Sequence, residues 1–323
     1  MSKRRVDGAK NLHARPGSTL VIIGNFDGVH RGHQAVLAAS ADVARAQGLT
    51  PIVLTFHPHP AEVLGRGVLP ALTTLDRKIE LIERIDPAYL VVVEPFDADL
   101  ARLEPDAFAD RLLARELCAR SVVVGQNFRF GRHRAGDLSA LARFGEQFGF
   151  SVRAEPLHGD DNGPFSSTRV RASLANGDLA DVALQLGRPH SLSGRVIQGA
   201  GRGRMLDVPT ANLGTVPEAL PPYGVYACLV DLLGRGGPRA LASGVANVGI
   251  RPTVGGGFGV EAHLFDFEAD LYGAELRVHL IRRIRDERRF PDVSELKAQI
   301  QRDIAFAKTS LAGAVPEEHG AWF

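Results

Sequence analysis

Short apolar stretches alternate with amphipathic segments along the first half of the chain, and this alternation predicts a parallel β-sheet. Five stretches have the length and composition of buried strands: "TLVIIG", "PIVLTF", "YLVVV", "SVVVG" and "FSVRAE". Helices are predicted between them, from about His33 to Gln47, after Leu75, from Glu104 to Leu117 and from Gly136 to Phe148. Because apolar strands that alternate with helices are typical of a sheet covered on both faces, this half is predicted to have an α/β fold.

The pattern changes near residue 187, after which the predicted strands follow one another without helices between them. The stretch "ELRVHLIRRI" alternates apolar with polar positions: Leu276, Val278 and Leu280 with Arg277 and His279. Such alternation is typical of an antiparallel sheet with one solvent-facing side, or of a small barrel. The second half is therefore predicted to be a β domain.

A single amphipathic helix is predicted to close the chain. Its apolar positions fall on one stripe, and two acids at its start resemble a capping box: Val293, Leu296, Ile300 and Ile304, with Asp292 and Glu295. The 323 residues suffice for two domains that each have a core. We therefore expect an α/β domain over residues 1–186 and a β-barrel with a terminal helix over residues 187–323.

Composition narrows the class of protein. The formal net charge of +1 gives no general reason to expect nucleic acid or an anionic membrane as a partner. The two cysteines, Cys118 and Cys228, form neither a metal-binding spacing nor a disulfide framework. The basic start "MSKRR" precedes no apolar segment, and no apolar run is long enough to span a membrane. We expect a cytoplasmic protein, and the sequence does not indicate its oligomeric state.

The first candidate site is the turn "GNFDGVHRGH", Gly24 to His33, which joins a predicted strand to a predicted helix. Ligands of open α/β sheets bind at the carboxyl ends of strands, and the free N–H groups of a helix start suit phosphate. His30 and His33 are three residues apart at that helix start, so both rings can face one anion. The spacing matches neither a Walker A loop nor a dinucleotide fingerprint. Nucleotidyl transfer fits, because an attacking phosphate needs positioning and hydrogen-bond donors but no general base.

Two alternatives stay open for this turn. The glycines could serve only the backbone, with two exposed histidines beside them. A zinc site is the other alternative, since His57 and His59 in "TFHPHP" supply two further imidazoles, although no usual zinc spacing is complete.

The second candidate site includes "GAGRGRMLDVPTANL", residues 199–213. Its features are glycines that allow close backbone approach, arginines that could bind phosphate, and two neutral oxygen donors on one face of an extended segment: Gly199, Gly201 and Gly203; Arg202 and Arg204; Thr210 and Asn212. The last two donors suit a Mg²⁺ ion that already carries ATP oxygens. An ordinary loop without a ligand is the alternative.

Glu261 is a candidate base in the stretch "VEAHLFDFEADLYG". On a strand it shares a face with His263, opposite Ala262 and Leu264. A kinase that phosphorylates a neutral hydroxyl benefits from a base or an orienting carboxylate. A solvated, outward-facing glutamate is the alternative.

The motifs together resemble the bacterial bifunctional riboflavin kinase/FAD synthetase family. "GNFDGVHRGH" is similar to the HxGH signature of nucleotidyltransferases, and "TFHPHP", "VVGQNFRFG" and "SSTRVR" follow it in the family's order. The second half resembles the family through "GRGRMLDVPTANL", "YGVYAC", "GVANVGIRPTVGGG", "EAHLFDFEADLYG" and "RDERRFPDVSELKAQI". The resemblance implies a Rossmann-like nucleotidyltransferase domain followed by a six-stranded riboflavin kinase barrel.

The resemblance also implies roles for residues of the first half. It implies that ATP and its phosphates contact the turn and the start of a later helix: Gly24, Phe26, Asp27, His30, His33, Ser166, Thr168 and Arg169. Asn127 would bind the flavin or stabilise the transferred group. Many family members have an acid at that position, and an amide does not prevent a step that needs no base. For "SSTRVR", a capped helix with solvated arginines is the alternative.

For the second half, the resemblance implies Thr210 and Asn212 as Mg-ATP ligands and Glu261 as the catalytic base. Arg285 and Phe290 would lie near the flavin. The expected activities are phosphorylation of riboflavin to FMN and adenylylation of FMN to FAD. Asp207 replaces a glycine usual in the family, which leaves open an FMN adenylyltransferase with an impaired kinase. A flavin-binding protein without catalysis is a separate alternative.

Overall fold

A computed structural model describes the chain except for residues 1–3, 16, 66, 68–69, 200–202, 204–205, 207, 251–257 and 318–319. The chain forms two compact units. The first comprises Met1–Leu69 and Thr73–Ser166, and the second comprises Pro70–Leu72 and Ser167–Phe323. The domain boundary near residue 186 remains a prediction. Helices in the described part of the chain are all too short or too polar to cross a bilayer.

A six-stranded parallel sheet forms the centre of the first unit, as the apolar stretches predict. Its strands are β1 (Arg5–Asp7), β2 (Thr19–Ile23), β3 (Thr50–His57), β4 (Leu90–Pro95), β5 (Ala119–Gly125) and β6 (Ser151–Glu155). They lie in the order β1-β4-β3-β2-β5-β6. β1 was not predicted, because its three residues carry no apolar run that distinguishes them from a polar N-terminus.

Helices cover both faces of this sheet. The helices of this unit are α1 (Arg31–Gln47), α2 (Pro60–Val63), α3 (Leu75–Ile85), α4 (Ala98–Arg102), α5 (Pro105–Ala107), a π-helix (Phe108–Glu116) and α6 (Leu138–Phe148). Two apolar clusters form, one on each side, because every residue of β2 is buried and its neighbours point alternately to opposite faces. The single helix predicted over Glu104 to Leu117 was wrong in detail, since a short α-helix runs into a π-helix there. A short hairpin, β7 (Gly159–Asp160) and β8 (Gly163–Pro164), follows β6.

The second unit contains a closed barrel of six antiparallel strands, which confirms the expected fold. The strands are β9 (His190–Ile197), β10 (Ala211–Leu213), β11 (Gly224–Gly234), β12 (Gly237–Ile250), β13 (Phe258–Leu264) and β14 (Glu275–Asp286). They close in the order β10-β13-β12-β11-β14-β9. Apolar side chains from all six strands fill the interior, so any ligand must bind outside the barrel or at its ends.

Three helices accompany the barrel: α7 (Ser167–Ala175), α8 (Leu179–Leu186) and α9 (Val293–Ser310). Val170, Leu174 and Val182 of the first two helices belong to the same apolar cluster as the barrel interior. Asp292 caps α9 by accepting a hydrogen bond from the Glu295 N–H, as the sequence predicts. The predicted apolar stripe is wrong at Val293, which is 65% exposed, because only the second half of α9 contacts the barrel.

The outer surface of β14 is buried around Arg277 and His279, which corrects the prediction of a solvent-facing side at these two residues. Arg277 is 5% exposed and His279 is fully buried, because Trp322, Phe323 and α9 cover this face. The fully buried Asp231 carboxylate lies 2.8 Å from His279 Nε2 through Oδ2 and accepts the Trp322 N–H at 3.0 Å through Oδ1. Burial would raise the pKa of Asp231, but the His279 hydrogen bond and charge keep that pKa below its ordinary value.

We predict that Asp231→Asn lowers the free energy of unfolding of the barrel by about 1–3 kcal/mol at pH 7, because a buried charge-assisted network is weakened. The folded pKa is depressed, so the carboxylate stabilises the fold above about pH 4 and its contribution is lost as the pH falls through the lowered folded pKa. Urea unfolding followed by fluorescence of Trp322, the single tryptophan, measures both effects.

Asp266→Asn is the control for this measurement, because the Asp266 side chain is 87% exposed and lies 3.6 Å from Lys308. An exposed pair of this kind contributes at most about 1 kcal/mol. Equal losses in the two variants, or an Asp231→Asn effect that persists unchanged well below pH 4, would contradict the assignment.

Candidate active sites

The turn after β2 holds a strained backbone over four residues. Phe26 and Val29 have φ of 48° and 41°, and Gly28 has φ of 79°. A β-branched residue rarely adopts a left-handed conformation, so the surrounding structure must enforce it. Phe26 and Val29 are nearly completely buried and anchor the turn in the core under α1. Clustered strain of this kind is typical of ligand-binding turns.

The two histidines lie together at the start of α1. Their rings stack with centroids 3.7 Å apart, and His30 Nδ1 accepts the His33 N–H at 3.4 Å as the helix cap. The alternative of two exposed histidines is wrong, because His30 is only 6% exposed. Gly32 permits this arrangement, since a Cβ there would lie 3.1 Å from His30 Nδ1 and 3.4 Å from the Phe165 carbonyl oxygen.

His33 is the most unusual group of this turn. Its Nδ1 is buried and has no hydrogen-bond partner among the described residues, which is rare for a polar atom in a native structure. Burial, with the neighbouring His30 and Lys78, holds the pKa of His33 well below its ordinary value. The imidazole is therefore neutral near pH 7 and offers a hydrogen bond without a charge.

Lys78 is a residue that the sequence reasoning missed. It belongs to α3 and is 8% exposed, and it interacts electrostatically with both His33 and the Asp27 carboxylate. Burial lowers the pKa of its ammonium group. Its position 45 residues after His33 left no local signal, and only the packing of α3 against α1 brings it here.

A cleft of about 710 Å³ opens at the same edge of the sheet. Gly24 and Asn25 of the first turn and Asn127, which follows β5, all line this cleft. Aromatic rings form much of its wall: Phe56, Phe96, Phe108, Phe128 and Phe130. Four arginines and a histidine border it: Arg102, Arg129, Arg132, Arg134 and His133.

The zinc alternative gains no support from His57 and His59. His59 lines the cleft, its Nδ1 accepts the Ala61 N–H at 3.1 Å, and its Nε2 lies 3.3 Å from the Asn25 amide. Across the described residues, no group of three or more His, Cys, Asp or Glu side chains is arranged to hold a metal ion.

The segment "SSTRVR" spans the boundary between the units. Ser166 belongs to the first unit, while Thr168 and Arg169 belong to the second and lie in the first turn of α7. The Arg169 guanidinium is only partly exposed and contacts Asp181 of α8 at 3.0 Å. The alternative of solvated arginines is therefore wrong for Arg169.

On the barrel, Glu261 lies in a row of polar residues across three neighbouring strands. Its register partners are Asn212 on β10 and Asn247 on β12. Ala262 and Leu264 are buried in the barrel core, so Glu261 faces outward with His263, as the alternation predicts. Asn247 was not predicted as a site residue, because only the strand pairing places it beside Glu261.

The structure places Thr210 and Asn212 against glycines that have no room for a side chain. A Cβ on Gly199 would lie 2.5 Å from the Asn212 amide, and one on Gly203 would lie 3.1 Å from Thr210 Oγ1. Gly201, Arg202, Arg204 and Asp207 lie outside the described residues, so their predicted roles stay predictions.

Arg285 has a partner within the protein. Its guanidinium forms a two-pronged ion pair with the buried Asp303 of α9, at 2.9 and 2.8 Å, and lies 5.5 Å from the Phe290 ring centroid. This contact fastens α9 to β14. Flavin binding by Arg285 and Phe290 stays a prediction.

Two family models match the chain. A model described as FAD synthetase matches residues 12–169, and one described as riboflavin kinase matches residues 186–311. The first match ends at Arg169, the third residue of α7, and most of α7 and α8 lies between the two matches.

Curated relatives match both halves together. The bifunctional riboflavin kinase/FMN adenylyltransferase of Escherichia coli strain K12 is 40% identical over 301 residues, which cover 92% of this chain and 95% of that protein. The protein of the same name from Bacillus subtilis strain 168 is 36% identical, covering 88% and 90%. A crystal structure titled as a macrolide-efflux protein from Streptococcus pneumoniae is 26% identical, with a TM-score of 0.80 and coverage of 93% and 97%. The identity and coverage of these relatives, with two family models in the same order along the sequence, show that the chain belongs to the bifunctional riboflavin kinase/FMN adenylyltransferase family.

Proposed function

We propose that this chain carries out its family's two reactions with two separate sets of residues. The turn Gly24 to His33 and the cleft beside it serve adenylyl transfer from ATP to FMN, which yields FAD and pyrophosphate. The outward-facing row around Glu261 serves phosphorylation of riboflavin by ATP. The first assignment rests on the stacked His30–His33 pair, in which the buried Nδ1 of His33 has no partner among the described residues.

In adenylyl transfer the FMN phosphate attacks the α-phosphorus of ATP and pyrophosphate leaves. The attacking oxygen is already anionic, so the protein needs no base and instead stabilises the charge that grows on the α-phosphate. We assign this role to His30, His33 and the N–H groups that begin α1. Gly24, Phe26 and Asp27 shape the ATP site, and Ser166, Thr168 and Arg169 bind ATP phosphates.

The cleft supplies a site for the flavin. Its aromatic wall suits the planar isoalloxazine ring, and the amides of Asn25 and Asn127 offer donors and acceptors to the polar edge of that ring. Many family members have an acid where Asn127 stands; because adenylyl transfer needs no base, an amide that binds without a charge is compatible with the reaction.

In the kinase reaction a neutral primary hydroxyl must lose a proton as it attacks the γ-phosphate. We assign Glu261 as the group that orients this hydroxyl and accepts its proton. Gly201, Arg202 and Gly203 would approach the ATP phosphates, and Arg285 with Phe290 would border the flavin.

We include a Mg²⁺ ion in the proposed kinase site because two side-chain oxygens there suit it as ligands. Thr210 Oγ1 and Asn212 Oδ1 are neutral oxygens held in spaces that a Cβ on Gly203 or Gly199 would fill. Oxygen donors of this kind suit Mg²⁺, which keeps several ligands for phosphate oxygens and water. Bound there, Mg²⁺ would neutralise charge on the ATP phosphates. We further propose that the protein acts in the cytoplasm on flavins and ATP, without a nucleic-acid or membrane partner.

We predict that His30→Ala lowers the rate of FAD formation from supplied FMN by about 10²–10³, the loss expected for one transition-state donor. FMN formation from riboflavin should be unchanged in the same protein. Chromatographic separation of the flavins over time measures both rates. His30→Asn is the matched variant, because asparagine restores a helix cap but not the imidazole. Full FAD formation by His30→Asn would reduce the role of His30 to capping.

We predict the opposite pattern for Glu261→Gln. FMN formation should fall by about 10²–10⁴, the usual contribution of a general base, while FAD formation from supplied FMN continues. Glu275→Gln, at the exposed start of β14, is the control for loss of a carboxylate from the barrel surface. Wild-type riboflavin phosphorylation by Glu261→Gln would remove Glu261 from the mechanism.

We predict that Asn212→Ala raises the Mg²⁺ concentration needed for half-maximal FMN formation by about tenfold or more. Titration of Mg²⁺ at saturating riboflavin and fixed ATP measures this value. Asn247→Ala changes the neighbour on the other side of Glu261 and is the matched control. An equal shift in both variants would show that the row as a whole is perturbed and would contradict a specific metal role for Asn212.

A further inference from the structure

The Asp181 carboxylate of α8 accepts hydrogen bonds from three side chains of α7 and α8, one of which is the Arg169 guanidinium. Asp181 Oδ2 accepts from Ser173 Oγ at 2.5 Å and from Gln185 Nε2 at 2.7 Å. Its other oxygen, Oδ1, accepts from Arg169 Nη2 at 3.0 Å. Ser173 and Gln185 therefore fix one edge of the carboxylate and leave the other edge to Arg169.

The helices that carry this network are themselves well fixed. Asp178 caps α8 by accepting the Asp181 N–H at 2.9 Å, which satisfies a backbone donor in the first turn of that helix. Gln185 is fully buried, and the apolar sides of both helices are part of the barrel core. The carboxylate is thus attached to a rigid support, and its several donors hold the pKa of Asp181 below its ordinary value.

A rigid carboxylate beside an arginine has a specific consequence. Arg169 begins as a long side chain with several rotamers, and an ion pair on one Nη restricts the plane of the guanidinium. An arginine oriented before its ligand arrives loses less conformational entropy on binding phosphate. Asp181 does not itself need to meet the ligand to have this effect.

We propose that Asp181 is a positioning residue for adenylyl transfer, which holds the Arg169 guanidinium in the orientation that binds ATP phosphate. The inference rests on the proposed ATP role of Arg169. Nothing in the "SSTRVR" motif identifies Asp181, which lies 12 residues from Arg169 and on another helix.

We predict that Asp181→Asn raises the KM for ATP in FAD formation about tenfold, the change expected when one charge-assisted hydrogen bond no longer orients the arginine, and alters kcat little. The full chain is assayed with saturating FMN and varied ATP. Arg169→Ala should raise this KM at least as much, and Asp181→Asn should add nothing in the double variant, because both changes remove one function.

Two controls separate positioning from damage to the helices. FMN formation from riboflavin by the same chain reports on the barrel, since α7 and α8 are part of its core, and should stay at the wild-type rate. Asp178→Ala removes the cap of α8 but keeps the Arg169–Asp181 pair, and should leave the ATP KM near wild type. A KM that rises equally in Asp178→Ala, or a parallel loss of FMN formation, would overturn the positioning role.

The remaining outcomes distinguish this inference from the proposal beneath it. If Arg169→Ala leaves the ATP KM unchanged, the ATP role of Arg169 is wrong and the role of Asp181 with it. If Arg169→Ala raises the KM while Asp181→Asn leaves it unchanged or lowers it, Arg169 binds ATP and the inference alone is overturned. A lowered KM would mean that Asp181 competes with phosphate for the guanidinium.

Discussion

Complete burial of the strand interiors is the constraint on which both sites depend. β2 is buried along its whole length between two apolar clusters, and the barrel interior is filled with side chains from all six strands. Polar side chains that bind ligands are excluded from both cores, because burying a polar group without partners costs free energy. In the first unit they lie where the strands end, and in the second they lie on the outer face of the barrel, as Glu261 and its register partners do.

The side chains of the two candidate sites differ in the same way as the nucleophiles of the two proposed reactions. In the proposed adenylyl transfer the attacking phosphate brings its own charge, and the turn after β2 would meet it with neutral imidazole and helix N–H groups in a strained, buried backbone. In the proposed kinase reaction the attacking hydroxyl brings a proton that must leave, and the barrel would offer it a carboxylate between two amides. His33 would be a poor base for the second reaction, because burial, with the neighbouring His30 and Lys78, holds its pKa well below the ordinary value and makes proton uptake unfavourable.

Local patterns predicted what depends on neighbours in sequence. The strand–turn–helix around Gly24 to His33, the alternation at Glu261 and the Asp292 cap all follow from spacing, and the structure has each of them. Contacts between distant segments were not predictable in this way. The alternation predicted that Arg277 and His279 face solvent, but Trp322 and α9 cover them in the structure. Lys78 lies at the turn only because α3 packs against α1. Resemblance to a family named the two activities, but it gave no signal for Asp181, whose effect depends on a pairing between helices.

The segment between the two family matches also depends on contacts between residues that are distant in the sequence. The FAD synthetase match ends at Arg169, yet Val170, one residue later, is fully buried in the cluster that fills the barrel. Arg169 on this helix is restrained in two ways. Apolar neighbours fix its backbone through their packing in the barrel cluster, and Asp181 binds its guanidinium. Because Leu174 and Val182 would lose their packing partners in a chain cut near residue 186, the helices α7 and α8 are energetically part of the barrel unit, although the FAD synthetase match extends to Arg169 on α7.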